Sequence, residues 1–572
     1  MTHLARFGLI FVTIFVASCA STPTQQSNNT ASAIPPLTPP EKRITSSFEK
    51  ETLHDLLVAE FANKRDRKDL ALGYYQKQAH ITRDAQVAAR ALQLAQQIGA
   101  QQAILDTSML WIDIDPHNIQ ARISATQQLL KYKQYDKALD QLEALLDLTS
   151  SIRYDHLLRD TARADSKQRL AIIARLDSII KKHPQNAQIR ISKAILENIS
   201  NLMSDAKVSV NQALAIEPNY TIAILLKSDL MLKLGNAKGS LNYLGTQSKA
   251  LPTNEKLGLA YARGLAQRKD FPKLKEQLNE LADNFPKNAI VLLSTAQIAQ
   301  ASALFDIAKS HLKQLIASGS RPIEAYFFLA RIAQHENNLD DSILYLQEIK
   351  PGPGFSSAQI QIASIQHQQG RSSIALNTLH NAIKTAPSES TKFLLAQAEL
   401  HTKDNQYQAA IGLLNGIIEN NADSVNALYM RAMAYAELDR FKPMEADLRR
   451  VLSLEPENSA ALNALGYTLA DKNDRLEEAS TLIEKAYTLS PNDPAIIDSL
   501  GWLKYRMGDN TKALELLKKA YALFKDQEIA AHLGELLWVT GNKEEAQLIW
   551  KQGLELTPNS EVIQKAIKHL TQ

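Results

Sequence analysis

The chain has little cysteine, few aromatic residues and almost no net charge. Its 572 residues include one cysteine, Cys19, so no disulfide bond can form within the chain. A single cysteine in so long a chain is typical of a protein made for an oxidising compartment, where cysteines are either paired or avoided. Lys and Arg (64) nearly balance Asp and Glu (61), and a formal net charge of +3 gives no reason to expect a nucleic-acid partner.

Long hydrophobic runs and catalytic motifs are also missing. The apolar run from Phe7 to Val16 is too short for a transmembrane helix, which needs about 20 residues. The 13 histidines form no HExxH pair, and the chain has no glycine-rich phosphate loop and no G-x-S-x-G element. The acidic pairs Glu477-Glu478 and Glu544-Glu545 are expected at helix starts, where negative charge is favourable. The sequence therefore predicts a protein that is not an enzyme and needs no metal or cofactor.

Residues 1–18 are predicted to be a secretory signal. Arg6 precedes the short apolar run, and Val16-Ala17-Ser18-Cys19 follows it. This stretch resembles the lipobox of bacterial lipoproteins, and the resemblance implies that Cys19 becomes the mature N-terminus and carries lipid. No Asp follows Cys19, which in enterobacteria-like lipoproteins favours the outer membrane, with the protein facing the periplasm. The alternative is an ordinary signal with a chance cysteine.

Residues 19–46 are predicted to form a disordered tether between the lipid and the folded part. They are rich in Ser, Thr, Pro, Gln and Asn and have little apolar content. From about residue 47 the pattern becomes helical. An i, i+3, i+4 spacing there predicts the stripe of an amphipathic helix, formed by Leu53, Leu56, Leu57, Glu60 and Phe61.

Three Leu-Gly pairs repeat near the C-terminus at a nearly constant spacing. Their glycines are Gly466, Gly501 and Gly534, which are 35 and then 33 residues apart. An alanine follows each glycine after 12 or 13 residues, at Ala479, Ala513 and Ala546. This pattern resembles the tetratricopeptide repeat, whose period is about 34 residues and whose small residues let two helices approach closely.

Prolines carry the same period across most of the chain. Proline suits the ends of repeats because it cannot continue one helix and is tolerated in the first turn of the next. Ten prolines are separated by about one or two repeat lengths: Pro116, Pro184, Pro218, Pro252, Pro286, Pro353, Pro387, Pro456, Pro491 and Pro558. The sequence thus predicts an all-α superhelical solenoid of about 13–15 helix pairs. Pro351-Gly-Pro-Gly354 predicts a local irregularity.

The clarity of the repeats divides the predicted solenoid into segments. Degenerate helical repeats are expected at 47–184, central repeats at 185–424, the clearest repeats at 425–560 and a capping helix at 561–572. Small residues mark the predicted close-packing positions of the central units, for example Ala206, Ala213, Ala375 and Ala382. Stacked helix pairs expose a concave surface, so the predicted function is the binding of other proteins.

The first helices of the C-terminal units carry a predicted partner-binding groove. In such repeats, positions 2, 5, 9 and 12 face the groove when Leu-Gly occupies positions 7 and 8. The residues assigned to it are mainly aromatic, the type enriched at interface hot spots: Tyr429, Met433, Asn463, Tyr467, Asp498, Trp502, Tyr505, Glu535 and Trp538. Replacing Trp502 and Tyr467 together by Ala is expected to weaken partner capture with little loss of stability. The alternative is that these rings pack between adjacent first helices.

The last fifth of the chain resembles a more specific family. Residues Asn463–Asp471, Asp498–Trp502 and Glu528–Trp538 are similar to the periplasmic tetratricopeptide-repeat lipoproteins of proteobacteria, above all to the adaptor that binds and activates a carboxy-terminal processing protease. The resemblance implies a scaffold that gathers this protease and its peptidoglycan hydrolase substrates. Two alternatives are a structural lipoprotein of envelope assembly, in outer-membrane protein insertion or polysaccharide export, and an activator of a peptidoglycan synthase.

Overall fold

The computed structural model describes residues 49–571, and within this range the regular secondary structure is helical, without a β-strand. The predicted signal at 1–18, Cys19 and the tether at 19–46 lie outside the described residues. Among the described helices, none combines the length and apolar character that crossing a membrane requires. The chain forms two compact units, one ending at Gln168 and the other beginning at Arg169.

The first unit consists of three helix pairs followed by a short irregular segment. The two helices of each pair contact each other, and the second helix of a pair contacts the first helix of the next. Its α-helices are α1 (Lys50–Lys64), α2 (Lys68–Thr82), α3 (Ala85–Ile98), α4 (Gln101–Ile114), α5 (Ile119–Lys131), α6 (Tyr135–Leu148) and α7 (Tyr154–Leu157). A 3₁₀ helix follows at Leu158–Arg163.

Helix α1 buries a different face from the one that its apolar spacing predicts. Leu53, Leu57 and Phe61 are 52%, 51% and 60% exposed, so the prediction of a buried apolar stripe was wrong for these three residues. The buried face instead contains Asp55, which accepts hydrogen bonds from Lys77 Nζ (2.8 Å) and from the side chain of Gln78 (2.7 Å) on α2. These bonds, together with small alanines on the same face of α1, fix which side packs on α2.

The second unit begins at the first turn of α8 (Ser166–Lys182) and continues as eleven helix pairs and a terminal helix. With the three pairs of the first unit, the described residues contain fourteen full pairs, which agrees with the predicted number. The pairs before the C-terminal units are α9 (Ala187–Ile199) and α10 (Met203–Ile216), α11 (Thr221–Lys233) and α12 (Ala237–Ala250), α13 (Glu255–Gln267) and α14 (Phe271–Asn284), α15 (Ala289–Ala301) and α16 (Phe305–Ala317), α17 (Pro322–His335) and α18 (Leu339–Gln347), α19 (Phe355–Gln368) and α20 (Ser372–Thr385), and α21 (Ser390–Lys403) and α22 (Tyr407–Asn420). The C-terminal helices are α23 (Val425–Glu437), α24 (Phe441–Leu454), α25 (Ser459–Asp471), α26 (Leu476–Leu489), α27 (Pro494–Arg506), α28 (Asn510–Leu523), α29 (Gln527–Val539), α30 (Lys543–Leu556) and α31 (Glu561–Thr571). A short 3₁₀ helix at Pro387–Glu389 precedes α21.

The periodic prolines lie in the turns between pairs, and after several of them a capping residue follows two positions later. The side chain of Asn458, after Pro456, accepts a hydrogen bond from the N–H of Ala461, and Asp493, after Pro491, accepts from Ile496. Such caps satisfy backbone donors that have no partner inside the helix. The same cap begins four further first helices, at Asn118, Asn186, Asn254 and Asn288.

Within the pairs, a residue with positive φ recurs in the turn that follows the first helix. After α27 this residue is Gly508 (φ 86°), and the next N–H, that of Asp509, donates to the carbonyl of Lys504 at 2.9 Å. This backbone arrangement ends a helix without a clash when glycine supplies the left-handed conformation. The turn therefore sets the antiparallel return of the second helix.

The small residues of the repeat lie where two helices touch, as predicted. Ala479, Ala513 and Ala546 are fully buried. A Cβ atom added to Gly501 would lie 2.8 Å from Leu517 Cγ of α28, and one added to Gly466 would lie 2.6 Å from Ile483 Cγ1 of α26. Any side chain at these two glycines would therefore push the pair apart.

The predicted irregularity at Pro351-Gly-Pro-Gly354 is present, since α18 has nine residues and ends before it, and Gly354 (φ 83°) caps α19. Helix α31 begins at Glu561 and contacts α29 of the last pair. Its Ile563 is fully buried and belongs to a hydrophobic cluster that extends through the C-terminal pairs from Leu428. This cluster supports the first helices that carry the candidate site.

Candidate functional site

The nine predicted groove residues lie on four first helices of the C-terminal pairs. Helix α25 contacts α27, and α27 contacts α29, so these three first helices form a continuous layer. Tyr429 and Met433 on α23 are half-buried against the hydrophobic cluster. The others lie on α25 (Asn463 and Tyr467), α27 (Asp498, Trp502 and Tyr505) and α29 (Glu535 and Trp538).

His532 of α29 is the centre of a polar network that joins the three first helices. Its Nδ1 lies 2.9 Å from Asp498 Oδ2 on α27, and its Nε2 lies 3.3 Å from the hydroxyl of Tyr467 on α25. The same hydroxyl donates to Glu528 Oε1 at 2.7 Å. Burial, together with the nearby Glu528 carboxylate, raises the pKa of Tyr467 well above its usual range, which keeps the donating proton in place.

The geometry of this network favours a protonated His532. The hydroxyl proton of Tyr467 is given to Glu528, so its oxygen accepts from His532 Nε2–H, while Asp498 accepts from Nδ1–H. Both ring nitrogens then donate, which only the imidazolium form does. Burial alone would lower the pKa of His532, but the Asp498 carboxylate, with Glu528 and Asp471, raises it above the ordinary value.

Trp502 and Asp498 are buried, and Trp502 does not face the open groove that the sequence predicted. They are 5% and 4% exposed. The Trp502 ring stacks on His532 with 4.1 Å between ring centroids and 21° between planes, so α29 covers the face that was expected to meet a partner. The reason is close packing of consecutive first helices, and for Trp502 the alternative interpretation from the sequence holds.

The remaining aromatic residues are half-buried and lie further along the same helices. Tyr505 packs beside Trp502, with 5.2 Å between ring centroids, and its hydroxyl donates to Glu535 Oε1 at 3.2 Å. Burial and the Glu535 carboxylate raise the pKa of Tyr505 to about 12. Trp538 contacts Trp550 of α30 at 5.7 Å between centroids, and Lys543 Nζ lies 4.9 Å from its ring centroid. These two residues are partly exposed, unlike Trp502.

A cleft of about 330 Å³ opens beside the network, at the N-terminal ends of α27 and α29. Its lining is formed by Asn463, Ala464, Tyr467, Ala495, Asp498, Ser499, Phe524, Asp526, Glu528 and Ile529. Asn463 Oδ1 and Asp498 Oδ1 are buried oxygens to which no donor within residues 49–571 makes a hydrogen bond. A buried acceptor without a donor costs about 1–3 kcal/mol, so these two oxygens mark a place where a donor would be stabilised.

Three titratable residues of the cleft and network were missing from the predicted site: His532, Glu528 and Asp526. A sequence signal existed for the first, since Asp498 and His532 are opposite in charge when His532 is protonated and lie 34 residues apart, one repeat length. Glu528 and Asp526 gave no such signal because their approach to Tyr467 and Asp498 depends on how α29 packs. Within the described part of the chain, no group of three His, Cys, Asp or Glu side chains is arranged to hold a metal ion.

Comparison with known proteins agrees with this architecture. The tetratricopeptide repeat family model matches residues 293–354, 429–494 and 499–560. A TPR repeat-containing protein of Pseudomonas aeruginosa is 33% identical over 568 residues, which cover 99% of this chain and 96% of that protein. The chain belongs to the tetratricopeptide repeat proteins. Proteins of this family generally act as non-catalytic scaffolds that bind other proteins, and no enzyme family is indicated for this tetratricopeptide repeat protein.

More distant similarities extend over large parts of the chain. Bacteriophage adsorption protein A of Escherichia coli K12 is 25% identical over 401 residues, which are 67% of this chain and 37% of that protein. The crystal structure of yeast Tom70 covers 91% of this tetratricopeptide repeat protein and 99% of that chain, with 15% identity and a TM-score of 0.37.

Proposed function

We propose that this tetratricopeptide repeat protein is a non-catalytic adaptor that binds protein partners through the first helices of its C-terminal pairs. The observation that carries the proposal is the cleft beside Tyr467 and Asp498, which is lined by polar acceptors on a layer of three packed helices. Half-buried Tyr505 and Trp538 continue the same layer. A surface held by packed helices costs little entropy on binding, which suits recognition of a specific partner.

The proposed partner is a carboxy-terminal processing protease together with its peptidoglycan hydrolase substrates. The support is the resemblance of residues Asn463–Asp471, Asp498–Trp502 and Glu528–Trp538 to adaptors of that kind. Tyr467, Asp498 and His532, which form the polar network, all fall within these stretches. The residues that carry the resemblance therefore also build the candidate site.

The proposed location is the periplasmic side of the outer membrane, with lipid on Cys19 as the anchor. Each buried methylene of an acyl chain contributes about 0.8 kcal/mol, so two or three chains hold a protein firmly at a membrane. The tether predicted at 19–46 would let the helical pairs reach partners away from the lipid surface.

The experiment is affinity capture from an envelope extract with the full-length tagged protein as bait, followed by mass spectrometry. We expect the protease and at least one peptidoglycan hydrolase in the parent sample. The variant Asn463→Lys, which places a cation in the cleft, should lose most of this capture. Asn381→Lys is the matched control, because Asn381 is an exposed residue on the second helix α20, away from the cleft.

The identity of the captured proteins separates the candidate functions. Recovery of an outer-membrane insertion or polysaccharide export component instead of the protease would favour a structural lipoprotein of envelope assembly. Recovery of a peptidoglycan synthase would favour an activator of that enzyme. Equal capture of the protease by the parent and by Asn463→Lys would show that the protease binds elsewhere on the chain.

A further inference from the structure

The cleft beside the polar network is lined by hydrogen-bond acceptors and carries negative charge. Three carboxylates line it, those of Asp498, Asp526 and Glu528, and the lining residues include no Lys, Arg or His. His532 is not part of the lining, and its Nδ1 pairs with Oδ2 of Asp498, which leaves Oδ1 of the same carboxylate without a partner among the described residues. The lining therefore keeps an excess of negative charge even with His532 protonated.

The acceptors without partners are on two adjacent helices and are protected from solvent. The Asp498 side chain is 6% exposed, and its Oδ1 has no hydrogen-bond donor among the described residues. Asn463 Oδ1, on α25, is likewise buried and accepts no hydrogen bond from a described residue. A group that occupies the cleft and offers donors alone would satisfy both oxygens and meet the carboxylates of Asp526 and Glu528.

We propose that the cleft receives the cationic end of an arginine or lysine side chain that a protein partner inserts between α25, α27 and α29. A guanidinium or ammonium group carries hydrogen-bond donors and no acceptor, which matches the unpaired oxygens. The Tyr467 ring and the exposed ring of Phe524 provide apolar surface for the methylene stem of such a side chain. The cleft volume of about 330 Å³ accommodates one long side chain.

An anionic ligand fits the same cleft poorly. Helix N-termini attract anions through their free N–H groups, and α27 and α29 both begin at the cleft. In this protein three of those groups already have an acceptor, because Asp493 accepts from the N–H groups of Ala495 and Ile496, and Asp526 accepts from that of Glu528. The carboxylate caps add negative charge at the place where an anion would bind.

This inference rests on the proposed function, since it names the chemistry by which the partner is recognised, but it is testable without the partner. The probes are Nα-acetyl-argininamide and Nα-acetyl-lysinamide, with Nα-acetyl-citrullinamide as a neutral isostere of arginine. Thermal unfolding of the full-length protein is followed at constant ionic strength with increasing probe. Because a ligand that binds the folded state raises the unfolding temperature, the two cationic probes should raise it and the citrulline probe should not.

Variants test whether the cationic probes raise the unfolding temperature by binding in the cleft. Asn463→Lys should reduce the apparent affinity of the arginine probe at least tenfold, whereas Asn381→Lys should leave it unchanged. If Asn463→Lys unfolds, Glu528→Gln provides the second test, because the amide oxygen still accepts from Tyr467 while one negative charge is lost. Equal shifts with citrulline and arginine, an undiminished shift in the cleft variant, or a larger shift with inorganic phosphate than with arginine would overturn the proposal.

The results also distinguish this inference from the adaptor function. Capture of the protease by the parent, without any response to the cationic probes, would leave the adaptor function intact and reject the arginine or lysine cleft. If the probes raised the unfolding temperature in a way that depends on Asn463, but the protease was not captured, binding of a cationic side chain in the cleft would be supported and the protease would be rejected as the partner.

Discussion

Asp498 and His532, 34 residues apart in the sequence, face each other across consecutive first helices with 2.9 Å between Oδ2 and Nδ1. Both side chains are nearly inaccessible to solvent. A buried ion pair with good geometry tolerates the loss of one partner poorly, because the remaining charge is left uncompensated. This pair therefore ties the packing of α27 on α29 to the protonation of His532.

The first prediction concerns pH. Since folding raises the pKa of His532 above its unfolded value of about 6.5, the stability that its charge contributes is complete below that pH and is lost as the pH rises through the folded value. We expect the denaturant concentration at the unfolding midpoint of the parent to fall as the pH rises from about 6 through the pKa of His532 in the folded protein. His532→Gln should be less stable at the lower pH and should lose this dependence. If the stability of the variant and that of the parent changed with pH in parallel, the role of His532 in this pH dependence would be contradicted.

The second prediction corrects the expectation that Trp502 is an exposed hot spot. Because its ring is buried and stacked on His532, Trp502→Ala should destabilise the C-terminal pairs by about 3–5 kcal/mol, as measured by chemical denaturation. Tyr505→Ala is the comparison, since that ring is half-buried and its loss should cost less. If the two variants lost similar small amounts of stability, Trp502 would be accessible in solution. A binding defect of Trp502→Ala is informative only after its folding is checked.

The third prediction tests the close approach of paired helices. Gly501→Val should lower the free energy of unfolding of the C-terminal pairs, typically by about 1–3 kcal/mol. The reason is overpacking, because a Cβ atom at this position would lie 2.8 Å from Leu517. Gly416→Ala in α22 is the control, since a Cβ at Gly416 meets no atom within 4 Å. Gly416→Ala should raise the free energy of unfolding by up to about 1 kcal/mol, because alanine has a higher helix propensity than glycine. Hydrogen exchange should show the Gly501→Val damage in neighbouring pairs and not in α13 or α14; damage of equal size there would refute local cooperativity.

The fourth prediction concerns Cys19, which lies outside the described residues. Cys19→Ala should leave the protein uncleaved or soluble, because the lipid that we propose as the anchor requires the thiol. Fractionation of envelopes and mass determination of the mature N-terminus provide the measurement. Normal processing of the variant and its retention in the membrane fraction would reject the lipoprotein assignment.

The sequence by itself was sufficient for the repeat architecture. Each helix pair carries the same local features. These are the spacing near 34 residues, the prolines between pairs, and the buried alanines Ala479, Ala513 and Ala546. The N-cap residues and the positive φ of residues such as Gly508 depend on their immediate neighbours alone. Such features are readable from one chain because the interactions that produce them span a few residues or one helix pair.

The tertiary structure decided which of these side chains are buried and which remain accessible. Whether Trp502 faces a groove or a neighbouring helix depends on the packing of α27 on α29, and His532 fills the space that a regular groove would leave open. The cleft similarly requires Tyr467, Asp498 and Glu528 from three helices, up to 61 residues apart for the pair Tyr467 and Glu528. On α1, hydrogen bonds to Asp55 selected the buried face against the apolar spacing of Leu53, Leu57 and Phe61. The physical reason is that periodicity fixes the face on which a residue lies, whereas burial depends on what a distant segment places against that face.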